Sequence, residues 1–223
     1  MSDLYLFDID GTLLDSISSH LKSWRGSYLD VLNLNLEDKT FTEKFGKPEN
    51  QINEEICGEL GINFTPSLLE SLIKQRASVI GSEVVKGNIK VLPGVYDLLN
   101  YLRAREEFLG VVTGNGRAAG EALLEGTDLI KYFSVRAYNN LNEERKEIVK
   151  RAVLEARERK YNFTTTIVIG DTPSDVKAGK AVGAYTVAVA TGHVSKEKLL
   201  ESGADLTLDS LGDYQRIISG VER

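Results

Sequence analysis

Four short runs, LYLFDI at 4–9, FLGVVT at 108–113, TIVIG at 166–170 and YTVAVA at 185–190, are rich in β-branched and aromatic residues and end against Gly, Asp or Thr. Runs of this length that are apolar on both faces suit strands of a sheet covered on both sides. The intervening segments change to helical spacing. Val95, Leu98, Leu99 and Leu102 follow i, i+3, i+4, i+7 behind Pro93-Gly94, and Ile148, Val149, Ala152 and Ala156 form a second stripe. Weaker strands are expected at 134–138 and 205–208. Strand alternating with helix predicts an α/β fold, a Rossmann-like doubly wound parallel sheet.

One segment breaks the alternation. Residues 16–88 carry no convincing strand, but Ile17, Leu21, Trp24 and Tyr28, then Ile52, Ile56 and Leu60, then Leu68, Leu72 and Val79 make three helical stripes. Thr65-Pro66 opens the last of them as an N-cap followed by proline at the first helical position. The expected organisation is therefore an α/β core of residues 1–15 and 89–223, with helices of residues 16–88 inserted behind its first strand. The segment GNIKVLPGV at 87–95 supplies the turn residues for the return.

A chain of 223 residues can bury such a core, and 42% hydrophobic with 27% charged residues is an ordinary globular composition. The net charge of −6 argues against nucleic acid or an anionic membrane as partner, so a phosphate ligand must be small and held locally. Cys57 is the only cysteine, which excludes an internal disulfide and fits a reducing compartment. MSDLYLFDID has no basic start and no signal-like apolar stretch; the expectation is a cytoplasmic protein. These residues assign no oligomeric state.

In an open parallel sheet ligands bind beyond the carboxyl ends of the strands, where strand order reverses. Four polar clusters fall on such ends: Asp8 and Asp10; Thr113, Gly114 and Asn115; Arg145 and Lys146; and Asp171 with Asp175. Two carboxylates about 4 Å apart repel by roughly 4 kcal/mol at an effective dielectric of about 20, so four aspartates brought together need a cation. Oxygen ligands on short side chains suit Mg2+, which also coordinates substrate phosphate. Thr113 and the amides near Gly114 offer donors to phosphate oxygens, and Arg145 or Lys146 a fixed positive charge. Asp8 can then attack phosphorus and form an aspartyl phosphate, while Asp10 protonates the leaving oxygen and later activates water.

With these residues the chain resembles the haloacid dehalogenase-like hydrolase superfamily. Its four motifs match DIDGT at 8–12, VVTGN at 111–115, the basic pair at 145–146 and GDTPSD at 170–175; LPGV at 92–95 and VKAGKAVGA at 176–184 are similar to stretches of its phosphoglycolate phosphatase-like members. The resemblance implies Asp8 as nucleophile and Mg2+ ligand, Asp10 as acid/base with its backbone carbonyl on the metal, Thr113 on phosphate, Asp171 as metal ligand and Asp175 supporting the metal. The third motif departs from the usual Lys-Pro, since Glu144-Arg145-Lys146-Glu147 stands there, and either basic residue fits. The inserted helices correspond in position to a cap that selects substrate. Within them Phe45-Gly46-Lys47-Pro48 is similar to a specificity loop, in which Lys47 can meet a second anionic group. A Mg2+-dependent phosphatase of a small phosphorylated metabolite is implied, with a phosphomutase acting on a sugar phosphate as the alternative; a receiver-like module that merely accepts phosphate would have neither Asp10 nor the helical insert.

The remaining conspicuous residues read as structural. Asp15 and Ser16 are expected to cap a helix, Trp24 and Cys57 to pack among the inserted helices, and His20 and His193 to be structural, since neither has a partner at a metal or triad spacing.

Overall fold

In the computed structural model, which describes residues 2–44, 47–140 and 143–221, six strands form one sheet. The chain runs β1 (Ser2–Phe7), β2 (Leu14–Asp15), α1 (Ile17–Leu32), α2 (Asp38–Thr42), α3 (Glu49–Glu59), α4 (Pro66–Val85) and β3 (Lys90–Val91). It continues through α5 (Val95–Ala104), β4 (Phe108–Val112), α6 (Arg117–Gly126), β5 (Val135–Ala137) and α7 (Arg145–Glu158). The last part is β6 (Phe163–Gly170), α8 (Pro173–Ala181), β7 (Tyr185–Val189), α9 (Lys196–Glu201), β8 (Leu206–Leu208) and α10 (Gln215–Val221). The sheet order is β5-β4-β1-β6-β7-β8, every pair parallel. This is the α/β, doubly wound architecture the apolar runs predict.

Side-chain alternation divides the core between the two faces of the sheet. Tyr5, Phe7, Leu109, Val111, Ile167 and Ile169 point to one face and pack under Leu98, Leu102, Leu123 and Ile217 of α5, α6 and α10. Leu4, Leu6, Val112 and Val168 point to the other, beneath Ile148, Val149, Ala152 and Ala178 of α7 and α8. Both helical stripes read from the sequence are buried as expected. The first strand, expected over 4–9, instead ends at Phe7, so Asp8 is the first residue beyond it.

Helices α1 to α4 surround a cluster of their own, made of Trp24, Tyr28, Phe41, Ile52, Ile56 and Leu72, with Cys57 buried beside it. Thr65 caps α4 as read from the sequence, its hydroxyl accepting Leu68 N–H at 3.2 Å. Two expectations shift. Leu60 is exposed, because α3 stops at Glu59. On α1, Trp24 and Tyr28 of the expected stripe are buried and Leu21 packs half-buried against the same cluster, but Ile17 is only half-buried, and Ser19, His20, Ser23 and Ser27 complete the buried face. At the mouth of the excursion β2 and β3 pair antiparallel, Leu14 opposite Val91 and Asp15 opposite Lys90. A two-residue ribbon is too short to leave a periodic signal.

Candidate active site

The carboxyl ends of β1, β4 and β6 face the helices α1, α3 and α4 across a cleft of about 740 Å³. Asp8 hangs from the sheet itself, since its N–H donates to Ile169 O of β6 at 2.9 Å. Asp171 follows β6 directly and packs against two glycines. A Cβ on Gly192 would lie 1.7 Å from Asp171 Oδ2, and one on Gly11, at φ 75°, would lie 2.5 Å from it. Asp175 sits at the third position of α8, where it forms a capping box with Thr172: Thr172 N–H donates to Asp175 Oδ2 at 3.1 Å, and Asp175 N–H donates to Thr172 Oγ1 at 3.3 Å. One carboxylate oxygen from each of Asp8, Asp171 and Asp175 lies within 4.8 Å of the others.

Arg145, at the start of α7, provides the charge that this cluster requires. Its Nε donates to Asp175 Oδ1 at 2.7 Å, and its Nη2 bridges Asp175 Oδ1 and Asp8 Oδ1. Lys146 instead turns outward to Glu144 Oε2 at 2.6 Å. Of the two basic residues the sequence leaves open, Arg145 is therefore the one in contact with the acidic centre. Burial pushes the Asp8 carboxyl up to about 7; Arg145 opposes the shift, and Asp175 and Asp10 add to it. Asp171 is pushed up to about 9 by burial and by the neighbouring Asp8 and Asp175. Burial acts against the Arg145 charge, but Asp175 and Asp8 outweigh it and hold the guanidinium above its ordinary range.

Asp10 lives in a different environment two residues on. Ser16 Oγ donates to its Oδ1, Asn115 Nδ2 donates to its Oδ2, and His20 Nε2 lies 2.7 Å from Oδ1. Burial would raise its pKa, but the charge of His20 and the three hydrogen bonds override burial and lower it to about 2. Two expectations are thereby corrected. Ser16 occupies the N-cap position of α1, yet its hydroxyl serves Asp10 and makes no cap hydrogen bond; Asp15 joins the β2 ribbon. His20 is not merely structural: it is a wall of the cleft in contact with Asp10, and His193 also lines the cleft. Ser16 and His20 are one helical turn apart just behind Asp10, an i, i+4 relation that could have revealed them.

Of the second cluster, Gly114 is exposed beside Arg145 and lines the cleft. Thr113 is fully buried, and its Oγ1 accepts both the N–H and Nδ2 of Asn115 at 3.1 Å. Asn115 thus ties Thr113 to Asp10. Lys47 lines the rim and is paired with Glu55 at 2.7 and 2.8 Å; Phe45 and Gly46 of the same loop lie outside the described residues. Glu49 and Arg76, which form an ion pair on the helical side of the cleft, belong to no motif or spacing read above.

The donor set fits a hard divalent cation: three carboxylates meet, and Asp171 Oδ1 is buried without a hydrogen-bond donor among the described residues. Beside it stand a carboxylate able to attack phosphorus, a fixed guanidinium, and a second carboxylate with its own proton partners. This is the equipment of phosphoryl-group hydrolysis.

Residues 5–189 match the family model described as "Haloacid dehalogenase-like hydrolase", and the chain belongs to that family. It is a haloacid dehalogenase-like hydrolase with an α/β core. Among curated proteins, it is 26% identical over 233 residues to phosphoglycolate phosphatase of Salmonella typhi, covering 93% of this chain and 88% of the relative. It is 25% identical over 221 residues to phosphoglycolate phosphatase of Synechococcus elongatus, covering 98% of each. Among solved structures, CbbY from Rhodobacter sphaeroides in complex with phosphate superposes with a TM-score of 0.81 at 18% identity over 96% of each chain. A hydrolase from Pseudomonas syringae gives 0.79 at 21% identity over 99% of each chain. At those identities the superpositions speak to the fold alone.

Proposed function

We propose that the protein is a Mg2+-dependent phosphatase that hydrolyses a small phosphorylated metabolite through an aspartyl phosphate on Asp8. The observation that carries this reading is the placement of the Asp8 carboxylate against Arg145, Asp171 and Asp175 at the floor of a cleft the size of a metabolite. Asp8, Asp171 and Asp175 would hold the cation with their carboxylates and Asp10 with its backbone carbonyl. Bound there, Mg2+ supplies charge neutralisation for the phosphoryl oxygens.

The chain's own groups account for the rest. A carboxylate oxygen of Asp8 attacks phosphorus, the bond from phosphorus to the ester oxygen breaks, and its electron pair leaves with that oxygen. Arg145 and the amides around Gly114 stabilise the phosphoryl oxygens, and Thr113 contributes its hydroxyl. Asp10 handles the protons. It donates to the leaving oxygen, then takes a proton from the water that attacks the phosphoenzyme, which releases phosphate and restores Asp8. Its ionised state suits the second half-reaction, and for the first half His20 Nε2, at 2.7 Å, is the neighbour able to supply a proton. In this reading the helices of residues 16–88 act as a cap over the core of residues 1–15 and 89–223, and their side chains select the leaving group. Lys47, at the rim, reaches that group only by releasing Glu55.

The test is turnover of p-nitrophenyl phosphate with Mg2+. Activity should vanish with EDTA and with Asp8→Asn. No turnover across a broad panel of phosphate esters, or full activity in Asp8→Asn, would overturn the proposal.

A further inference from the structure

The helical wall of the cleft bears on the substrate. Arg76 of α4 is buried, its guanidinium 3.7 Å over the Trp24 ring, with Nη2 3.5 Å from His20 Nδ1 and Nε 3.5 Å from Ser23 Oγ. Its Nη1 pairs with Oε1 of Glu49, the first residue of α3, whose side chain is 15% exposed and lines the same cleft. Lys47 is held by both oxygens of Glu55. Among the described residues, the two lysine or arginine cations that the helices and their loops present to the cleft are each matched by a carboxylate. The other lysines lining it, Lys146 and Lys177, stand on α7 and α8, on the sheet side.

Building on the phosphatase reading, we infer that the leaving group is uncharged and hydroxylated, and that Glu49 is the residue that rejects a second anionic group. A phosphate or carboxylate at the far end of the substrate would meet the Glu49 carboxylate, and could use Arg76 only by displacing it. Both events are unfavourable at this largely shielded pair, since like charges repel and the Glu49 carboxylate would be left without its partner. Hydroxyl groups meet no such obstacle. They donate to Glu49 and accept from Arg76 or from the Gln51 amide, which also lines the cleft, and the pair stays intact. Trp24 and Phe41 stack at 5.6 Å behind Arg76, which fixes the guanidinium and leaves it little freedom to follow a different ligand. The same pairing disfavours phosphoryl return to a sugar monophosphate. That route passes through a bisphosphate, whose far phosphate would need an unpaired cation on the helical side.

The experiment compares kcat/KM for esters of similar size, glycerol 2-phosphate against 2-phosphoglycerate and a hexose monophosphate against its bisphosphate, with p-nitrophenyl phosphate as reference. The wild-type protein should favour the uncharged leaving group in each pair by on the order of 10- to 100-fold. Glu49→Gln should shrink that ratio by about tenfold or invert it, chiefly through KM of the anionic ester. A wild-type preference for the doubly anionic esters overturns the inference and requires no variant to fold. An unchanged ratio in Glu49→Gln of unaltered melting temperature removes Glu49 as the determinant. Turnover of p-nitrophenyl phosphate with the wrong preference fails this inference alone, whereas no turnover of any ester fails the phosphatase reading beneath it.

Discussion

Asp8 and Asp10 are separated by one residue, yet their carboxyls are driven in opposite directions, to about 7 and about 2. Asp8 sits in a cluster of like charge and is completed by a cation; Asp10 has three donors and needs none. The difference sets a pH signature for the metal-free protein. Asp8 and Asp171 are acids whose folded pKa lies above the ordinary value of about 3.9. As pH rises above about 4 the unfolded chain gives up protons that the folded chain still binds, so stability must fall. The loss builds up through about 7 for Asp8 and about 9 for Asp171. Melting temperature in EDTA should therefore drop between about pH 5 and about pH 8, and Mg2+ should remove most of that drop because it holds the carboxylates ionised. A flat profile in EDTA would contradict the assigned electrostatics. The cradle of Asp171 gives a second check. Gly11→Ala places a Cβ against Oδ2 at a φ that costs an L-residue about 1–2 kcal/mol, and should weaken Mg2+ binding, measured by calorimetry, more than it lowers melting temperature. For Asp10, Asn115→Ala and His20→Ala should each lower kcat by about 10- to 100-fold with little change in KM for p-nitrophenyl phosphate, because they position or protonate a group used in the transition state. The four acidic positions were legible in the sequence because strand ends converge in such a sheet, and so was a basic partner at 145 or 146, with the choice between the two left open. Ser16 and His20 left only their i, i+4 spacing behind Asp10, and Glu49 and Arg76 left none, since their meeting depends on how the inserted helices rest on the sheet.

At the scale of elements the periodicity marked the helices but not always their orientation. In α1 the buried face shares Trp24 and Tyr28 with the apolar stripe but is broader, taking in Ser19, Ser23 and Ser27. Those small side chains satisfy themselves locally, Ser23 Oγ on His20 O at 2.7 Å and Ser27 Oγ on Trp24 O at 2.8 Å, and allow α4 to approach closely. A hydrophobicity argument discounts serine, so it finds Trp24 and Tyr28 but draws the buried face too narrow. The strands were easier, because each is apolar on both sides and bounded by turn residues. Outside the cleft, Asp205, just before β8, ties α8 to β7. Its Oδ1 receives Lys180 from the end of α8, while its Oδ2 accepts the N–H and hydroxyl of Thr186 in β7 at 2.7 and 2.8 Å. Burial would raise the Asp205 pKa, but Lys180 and Thr186 prevail and lower it. Its stabilising contribution is accordingly present above the unfolded pKa of about 3.9 and lost as pH falls through the lower folded value. Asp205→Ala should cost about 1–3 kcal/mol at neutral pH, as the buried Thr186 N–H loses its acceptor, and the difference from wild type in urea titrations should shrink in acid.

For the whole molecule, the order β5-β4-β1-β6-β7-β8 puts the first strand at the centre, flanked by strands that begin at Phe108 and Phe163. The sheet cannot close around Asp8 until β6 is present. A chain truncated before Phe163 should lack cooperative thermal unfolding and near-ultraviolet circular dichroism, because β1 then lacks one neighbour and the site lacks Asp171 and Asp175. The inserted helices are tied less uniformly. Most of their apolar side chains serve their own cluster, but Ile80 of α4 belongs to the core under the sheet. Overall charge has little to say about the substrate: a chain of net −6 sets the half-buried Arg145 against its acidic centre.

The narrow ribbon at Leu14 and Val91 has a mechanical consequence. Asp8 is pinned to β6 by its own amide, whereas Asp10 is gripped by Ser16 and His20, which ride on the first helix beyond that ribbon. A tilt of the helices about so slender a pivot would leave the nucleophile where it is and take Ser16 and His20 from the proton-handling residue, leaving it only Asn115. If the inserted helices act as the proposed cap, the site is a two-key lock: one key is cut into the sheet, and the other would turn only with the helices seated on a leaving group they accept.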